Sequence, residues 1–455
     1  MHPTLLRFPL GRGFDASTVF SAVYGGRDDV FWLDSGPSGM SYLGAGEPVP
    51  VDAATVWDVL RAVPRPSSVD GGGPAFRLGL VGWLGYELRE QTTGAHVTRT
   101  SRYPDAAFLR VDRAIAIDGA TGEAELLALG ADWSGELGQW RDEVGRLARA
   151  AAKSAPRPPH ASAQPGIGRW RDSDARYLAN IASCQRAIRD GEAYQLCLTT
   201  EFEVAGAFDP LAVYLAVRAS SATHHGALIR IGGVSLLSAS PERFLDIDPA
   251  GVVATRPIKG TRPRGADPVA DAALAAELRA SEKERAENLM IVDLMRNDLA
   301  RVCELGTVTV SQLLEVESYP HVHQLVSTVT GRLATGRSPI DAIEACFPAG
   351  SMTGAPKIRA TELLDGIERR ARGLYAGAFG YVGFDGRVDL AMSIRSIVLD
   401  AQGATVGAGG GITALSVPEE ELAEAKLKAA ALLAALGVDD RGTPNPDARF
   451  GTVDA

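Results

Sequence analysis

Apolar and polar residues follow two different rhythms along this chain, and the change between them predicts which segments are strands and which are helices. In short runs, apolar residues alternate with polar ones or form brief blocks bounded by Gly and Asp, which is typical of β-strands. The runs with this pattern are 76–86, 106–117, 192–202, 227–237, 243–247, 251–255, 375–384 and 388–399. In longer runs the apolar residues recur at helical spacing; these runs are 134–152, 175–189, 268–299, 339–346 and 418–436.

A break in this patterning divides the chain. Residues 153–168 are rich in Pro, Ala and Ser and have no periodic apolar pattern, so we expect a flexible connection there. It separates an N-terminal region, 1–152, from a larger region, 169–437, and the tail 438–455 is predicted to be disordered. Many antiparallel-looking strands with separate helices favour an α+β fold over a doubly wound parallel sheet.

Composition narrows the functional classes. The chain has 455 residues, is 45% apolar and carries a net charge of −10, so it lacks the basic field of a nucleic-acid-binding protein. Its four cysteines are widely spaced, which is typical of reduced, buried thiols. The N-terminus has no signal-peptide pattern and no run reaches the length of a membrane span. We therefore expect a cytoplasmic protein with no membrane or nucleic-acid partner.

One lysine stands out among the polar residues. Lys259 lies in the run RPIKGTRPRG (256–265), where prolines and glycines limit the freedom of the chain. Water stabilises the charged form of an amine, so a lysine held partly out of water can act as a nucleophile. Taken alone, the run is more typical of an exposed lysine in a surface loop.

Two pairs of glutamates predict a cation site. Glu284 and Glu287 are three residues apart, as are Glu421 and Glu424, so each pair shares one face of its helix. Carboxylate oxygens presented by two helices could hold Mg²⁺. Two solvated helix faces would explain the same pattern, and that alternative stays open.

Two runs of small residues predict close backbone approaches. FPAGSMTGAPK (347–357) precedes a helix expected to open near Pro356, so its N–H groups could contact an anion, although a plain helix-entry turn fits equally well. It does not match the phosphate-binding GxxxxGK[ST] pattern. GAGGGI (407–412) does not match GxGxxG because Ile412 occupies the last position. Nucleotide binding is therefore unsupported, and these glycines could instead approach a small carboxylate.

Together these segments resemble the chorismate-utilising enzymes, and within them the aminodeoxychorismate synthases (component I), relatives of anthranilate synthase component I. The resemblance covers about Tyr177 to Leu436 and is weaker before it, where it rests on FWLDS (31–35) and GLVGWLGYE (79–87). The motifs that carry it are, in order, DGEAYQLCLT, SASPERFL, RPIKGTRPRG, KERAENLMIVDLMRNDL, HQLVSTVTG, FPAGSMTGAPK, YAGAFGY, AMSIRSIVL, GAGGGI and ExxExxxK. The resemblance implies an α+β fold with a large two-layer β-sandwich-like core and helices on the outside.

The resemblance also implies roles for individual residues. Glu287 and Glu424 match Mg²⁺ ligands, with Glu284 and Glu421 as neighbours that act through water. Glu242 matches a general acid that assists departure of the ring hydroxyl of chorismate. The remaining matched positions bind substrate: Thr261, Tyr375, Arg395, Gly409 to Gly411 and Lys428.

Two positions distinguish the reactions known in such enzymes. Isochorismate and salicylate synthases carry a lysine where this chain has Gln195, so their chemistry is disfavoured. Anthranilate synthases usually carry Ala where this chain has Lys259, whereas aminodeoxychorismate synthases carry Lys. The resemblance therefore implies that Lys259 attacks C2 of chorismate, after which ammonia adds at C4 and expels the lysine to give 4-amino-4-deoxychorismate.

The resemblance has departures and leaves alternatives. The usual histidine is replaced by Gln324, with His323 one place earlier, and the match at Leu33-Asp34-Ser35 leaves open whether tryptophan is bound. No glutaminase motif is found, so we expect ammonia from a separate glutamine amidotransferase subunit, and a separate lyase to make 4-aminobenzoate for folate. An anthranilate synthase component I and, less favoured, a non-catalytic chorismate-binding subunit remain alternatives.

Overall fold

Two large antiparallel β-sheets form the framework of the computed structural model, which describes residues 4–63, 75–154, 164–221, 223–319 and 322–444. The strands are β1 Thr4–Gly11, β2 Val30–Asp34, β3 Met40–Ala45, β4 Glu47–Pro48, β5 Gly79–Leu84, β6 Ala106–Val111, β7 Arg113–Asp118, β8 Glu123–Gly130, β9 Gln164–Trp170, β10 Gln195–Ala207, β11 His225–Ile231, β12 Val234–Ser240, β13 Arg243–Ile247, β14 Val252–Thr255, β15 Ile258–Pro263, β16 Thr309–Ser318, β17 Val322–Arg332, β18 Gly354–Ala355, β19 Ala378–Gly383, β20 Val388–Met392, β21 Ser396–Asp400 and β22 Gly403–Ile412. The helices are α1 Ala16–Tyr24, α2 Val56–Arg61, α3 Arg89–Thr93, α4 Gly135–Ala151, α5 Asp174–Arg189, α6 Pro210–Ser220, α7 Pro268–Ala280, α8 Glu282–Ala300, α9 Pro339–Cys346, α10 Lys357–Glu368 and α11 Pro418–Ala435.

Both sheets combine strands from the two ends of the chain. The first runs β1-β8-β7-β3-β2-β11-β12-β21-β22-β10-β18, with β9 also paired to β10. The second runs β15-β17-β14-β13-β20-β19-β5-β6-β4, with β16 also paired to β17. The N-terminal region thus contributes β2 beside β11 in one sheet and β5 beside β19 in the other.

Alternating side chains bury three apolar layers. Phe31 on β2 faces the layer between the two sheets, whereas the next residue, Trp32, faces the helices outside the first sheet. On β5, Trp83 likewise points between the sheets and Leu84 points outward. This alternation builds a two-layer sandwich with helices on its outer faces, and the predicted α+β architecture is confirmed.

Several runs that were each predicted as one element contain two elements in the structure. The run 227–237 is a hairpin of β11 and β12, because Gly232 and Gly233 adopt the positive φ angles that a tight turn requires. The run 268–299 divides into α7 and α8 at Ser281, where the backbone is extended and the side chain caps α8 by accepting the N–H of Glu284. The runs 106–117 and 388–399 each divide because the chain crosses from the second sheet to the first.

The segments between and after the two regions are more ordered than predicted. Part of the expected linker, from Gln164 onward, is β9 paired with β10, while residues 155–163 lie outside the described part. The tail begins with an ordered turn in which Gly442 O accepts the Gly168 N–H at 2.8 Å and Asp440 O accepts the Trp170 indole N–H at 2.9 Å. Residues 445–455 lie outside the described part.

Candidate active site

A cavity of about 510 Å³ opens between the two sheets and helices α8 and α11. Its walls are the edge strand β15, the glycine-rich end of β22, the turn Gly350–Met352 and the facing sides of the two helices. The predicted site residues all line it: Glu242, Lys259, Thr261, Glu284, Glu287, Tyr375, Arg395, Gly409, Gly411, Glu421, Glu424 and Lys428. A volume of this size suits a small organic ligand.

Lys259 lies on an edge strand and not in a loop. β15 pairs with β17, and its register shifts between Ile258 and Thr261, which places Lys259 in an irregular part of the strand. The next residue, Gly260, has φ +83°, and a Cβ there would lie 3.0 Å from the Glu284 side chain on α8. Glycine therefore lets β15 approach the acidic helix, and the charge of the half-buried Lys259 favours the ionised forms of Glu242 and Glu287.

Glu242 is a buried carboxyl group beside that lysine. It lies between β12 and β13, its side chain is 8% exposed, and its own carbonyl accepts the Met392 N–H at 3.0 Å. Burial raises the pKa of Glu242, and this effect outweighs the opposing charge of Lys259. A carboxyl group with a raised pKa can hold a proton near neutral pH and donate it to a leaving group.

The four glutamates gather on one wall, but cations hold most of them. Glu421 accepts hydrogen bonds from Ser416 at 2.8 Å and from Lys283 at 3.3 Å. Glu424 pairs with Lys428 at 2.6 Å, and Glu284 Oε1 lies 3.5 Å from Arg262. These contacts join α8, α11 and β15, and they neutralise carboxylates that would otherwise repel one another.

The carboxylates differ in their proton affinity. Burial raises the pKa of Glu287, and the negative charges of Glu284 and Glu421 raise it further against the opposing lysines. Burial would also raise the pKa of Glu424, but the charge and hydrogen bond of Lys428 outweigh it and lower that pKa. Glu287 is thus the carboxylate that would gain most from a neighbouring cation.

The glutamate side chains of this wall are of the kind that binds a hard cation. Oxygen ligands on two facing helices are the ligands that Mg²⁺ prefers. Burial raises the pKa of Glu287, and a bound cation would oppose that shift by stabilising the ionised carboxylate. Within the described ranges, no three acidic, His or Cys side chains already converge as a metal cage. Side-chain movement away from Lys283 and Lys428 would have to accompany metal binding.

The opposite wall is built from backbone and cationic groups. A Cβ on Gly407 would lie 2.1 Å from the Tyr375 ring, and one on Gly411 would lie 2.0 Å from the Gln195 amide, so these positions need glycine. Lys428 donates to the Gly409 carbonyl at 3.0 Å. Arg395, at φ +49° between β20 and β21, is exposed and faces the same cavity.

Some lining residues were not predicted from the sequence. Lys283 and Arg262 lie inside motifs that were noted for other residues, so only their charge could have indicated them. Ser351 lines the cavity from the small-residue loop, whereas the start of α10 faces elsewhere: Lys357 bonds the Asp298 carboxylate at 2.5 Å. The loop itself therefore contributes to the cavity, and the helix N-terminus does not.

The structure shows where three residues whose roles were left open lie. Gln324 lines the cavity, while His323 is buried on the other side of β17. The His323 ring contacts Asp271 and Ser318, each at 2.8 Å. Asp34, in the segment considered for tryptophan, is buried and paired with Arg218 at 2.5 Å.

Comparison with known proteins identifies the family. Residues 26–434 match the chorismate binding enzyme family. The chain belongs to that family. An aminodeoxychorismate synthase from Streptomyces pristinaespiralis is 42% identical over 93% of this chain and 64% of its own length. Anthranilate synthase component 1 from Streptomyces coelicolor is 38% identical over 92% of this chain and 86% of its own length.

Solved structures agree with this membership. Anthranilate synthase component I from Streptococcus pneumoniae has a TM-score of 0.73 and 26% identity, covering 95% of this chain and 92% of that one. The menaquinone-specific isochorismate synthase from Escherichia coli has the same fold, with a TM-score of 0.73 at 18% identity over 96% of both chains. The family resemblance predicted from the motifs is confirmed.

Two further facts concern the length of the chain relative to its relatives and the character of its helices. The chain spans about two thirds, 64%, of the length of the Streptomyces aminodeoxychorismate synthases that it matches. Among the helices of the described ranges, none has both the length and the apolar character to cross a bilayer.

Proposed function

We propose that this chorismate-binding protein converts chorismate and ammonia to 4-amino-4-deoxychorismate. The observation that carries the proposal is the placement of Lys259 in the same cavity as the buried acid Glu242 and the acidic wall. A nucleophilic amine beside a carboxyl group that can donate a proton is what a two-step displacement of a ring hydroxyl requires.

In the first step the Lys259 nitrogen bonds C2 of the ring as the C4–oxygen bond breaks and the ring double bonds shift. Glu242 gives its proton to the departing hydroxyl, which leaves as water. In the second step ammonia bonds C4, the double bonds shift back, and the lysine nitrogen leaves C2. The balance is ammonia consumed and water released, with Glu242 taking back a proton from the new amine.

The other residues bind and orient the substrate. Glu287 and Glu424 would hold Mg²⁺ directly and Glu284 and Glu421 would act through water, and the cation would neutralise the ring carboxylate of chorismate. Tyr375, Arg395 and the backbone of Gly409 to Gly411 would hold the second carboxylate, and Thr261 and Lys428 complete the pocket. These local cations offset the net negative charge of the chain.

We further propose that ammonia comes from a separate glutamine amidotransferase subunit in the cytoplasm, and that a lyase converts the product to 4-aminobenzoate for folate. The proposal of both steps rests on the similarity to the Streptomyces aminodeoxychorismate synthases. Glutamine-dependent turnover on mixing the chain with such a subunit would test the first of them.

Product analysis tests the proposal directly. The purified chain is incubated with chorismate, Mg²⁺ and ammonium, and products are identified by mass spectrometry with and without an aminodeoxychorismate lyase. We expect 4-aminobenzoate only when the lyase is added. Fluorescent anthranilate without the lyase would show the second candidate, anthranilate synthase component I, which the 86% coverage of the Streptomyces coelicolor relative favours.

A third candidate is a non-catalytic chorismate-binding subunit. It would require a damaged site, yet Lys259, Glu242, Glu287 and Glu424 all line the cavity. Chorismate binding without any turnover, under the conditions above, would be the result that favours it.

A further inference from the structure

The segment GLVGWLGYE (79–87) contributes no residue to the cavity, yet its end is buried beside it. After β5, residues Tyr86–Leu88 form one short 3₁₀ turn. The Glu87 carboxylate accepts two backbone N–H groups from the far end of the chain, those of Arg372 at 2.8 Å and Gly373 at 2.9 Å. The Tyr86 N–H donates to the Gly373 carbonyl at 2.8 Å. Three hydrogen bonds thus fix one turn of the catalytic region to the N-terminal region.

The side chain of Arg372 strengthens this contact. Its guanidinium lies 4.3 Å from the centre of the Tyr86 ring. It donates to the Met352 carbonyl at 2.7 Å and to the Cys197 carbonyl at 2.8 Å, and both of these residues line the cavity. The Tyr86 ring therefore supports a guanidinium that itself holds two cavity walls.

The fixed turn carries a substrate-binding residue. Tyr375 follows Gly373 by two positions, and its ring packs directly on Gly407 of β22. On the other side of Tyr375, the Ala376 N–H donates to the Ser393 carbonyl at 2.9 Å, two residues before Arg395. The turn from 372 to 377 is thus held at both ends, and at the Glu87 end the acceptor is a buried carboxyl group.

We propose that Glu87 and Tyr86 are positioning residues that hold the turn 372–377, and with it Tyr375, in the geometry that binds the substrate carboxylate. This inference rests on the proposed function for the role of Tyr375. It gives the N-terminal region a part in substrate binding, although no residue of the segment 79–87 lines the cavity.

The test replaces the charged acceptor by its neutral isostere. Glu87→Gln keeps the shape but leaves one buried N–H without its acceptor, which costs about tenfold in binding when a buried donor is left unpaired. We expect the KM for chorismate to rise roughly tenfold while kcat stays within about threefold, because the reacting groups are untouched. Kinetics are measured at about pH 8, where the Glu87 carboxylate is ionised.

One variant serves as the control. Glu90→Gln removes a carboxylate on the following helix α3, which is exposed and contacts His96, so its KM should equal that of the wild type. If Glu87→Gln does not fold, Tyr86→Leu replaces it and should shift the KM in the same direction.

A second measurement does not depend on turnover. Amide hydrogen exchange of the peptide spanning 372–377 should be faster in Glu87→Gln than in Glu90→Gln, because an accepting carboxylate has been lost. A folded Glu87→Gln protein with unchanged exchange and unchanged KM would overturn the inference. Faster exchange in Glu87→Gln, together with no chorismate turnover by the wild-type protein, would instead overturn the proposed function and leave the positioning contact in place.

Discussion

Two groups of charged residues lie close together in this protein and are treated by the fold in opposite ways. In the group buried behind the cavity, which we call the arginine cluster (Arg370, Arg372 and Glu368), every guanidinium nitrogen of Arg372 has a partner. Its Nε and Nη2 bond both oxygens of Glu368 at 2.9 and 2.7 Å, and Nη1 bonds the Met352 carbonyl. In the cavity, by contrast, Glu242 and Glu287 have pKa values raised by burial.

This difference separates structural charge from functional charge. A buried ion pair whose hydrogen bonds are all made has no capacity left for a ligand, and it fixes the surrounding backbone. Carboxyl groups that burial leaves short of positive charge can take up a proton or a cation. Substitutions in the arginine cluster should therefore act on stability, and substitutions in the cavity should act on turnover.

The largest expected effect is on catalysis. Lys259→Ala should lower kcat by about 10³-fold, since the covalent step loses its nucleophile, while the melting temperature stays close to that of the wild type. Lys426→Ala is the matched control, because Lys426 pairs with Asp174 outside the cavity. Product formation is followed with the coupled lyase assay. Unchanged turnover in Lys259→Ala would remove the covalent step but not the family membership.

On the other side of the comparison, Arg372→Met should destabilise the fold by about 3–5 kcal/mol, because Glu368 is left as an uncompensated buried charge. Urea unfolding measures this loss, with Arg296→Met as control, since Arg296 forms an exposed pair with Asp293. A loss of less than about 1 kcal/mol, the range of surface pairs, would contradict the distinction between the two groups.

Metal binding tests the acidic wall of the cavity. Glu287→Gln should weaken Mg²⁺ binding by roughly 10- to 100-fold in calorimetric titration, because a hard cation loses a charged oxygen ligand. Glu420→Gln, an exposed change in the first turn of α11, should leave the affinity unchanged. Equal affinities for the two variants would exclude Glu287 from the metal site.

The smallest expected effect is a pH dependence of stability from Glu87, which lies beside the arginine cluster and accepts the Arg372 N–H. Burial raises the pKa of Glu87 from 4.5 to about 7. Between these values the unfolded chain has released the proton that the folded protein keeps, so each pH unit upward should cost the wild type about 1 kcal/mol relative to Glu87→Gln. Urea unfolding of both proteins at intervals from pH 5 to 8 measures the trend. Parallel stability curves across this window would show that the pKa of Glu87 is not raised in the folded protein.

Much of the fold could be predicted because local patterns decide it. The helix predicted at 339–346 is Pro339–Cys346 in the structure, where Ser338 and Asp341 form a capping box. Two pairs of consecutive strands that lie in different sheets, β6 with β7 and β20 with β21, were each predicted as a single run. The reason is that the apolar alternation continues through the connection between them. Nothing in the sequence near Arg395 shows that the chain there leaves one sheet and enters the other.

The candidate site likewise divides into features that the sequence predicts and features that it does not. Motif positions indicated which residues meet, from Glu242 to Lys428, although the sequence separates them by nearly two hundred residues. Their partners could not be predicted in this way. The pairing of Lys283 with Glu421 depends on how α8 faces α11, and neither helix specifies this alone.

The sequence by itself determined the family, the α+β class and the residues to examine, because periodicity and short motifs are local properties of the chain. The tertiary structure decided which of Gln324 and His323 faces the cavity, which glutamates are already neutralised, and what Glu87 contacts. These outcomes depend on burial and on charges brought together from distant parts of the chain. Glu87 and Arg372 are 285 positions apart, and only the packed sheets bring them into contact.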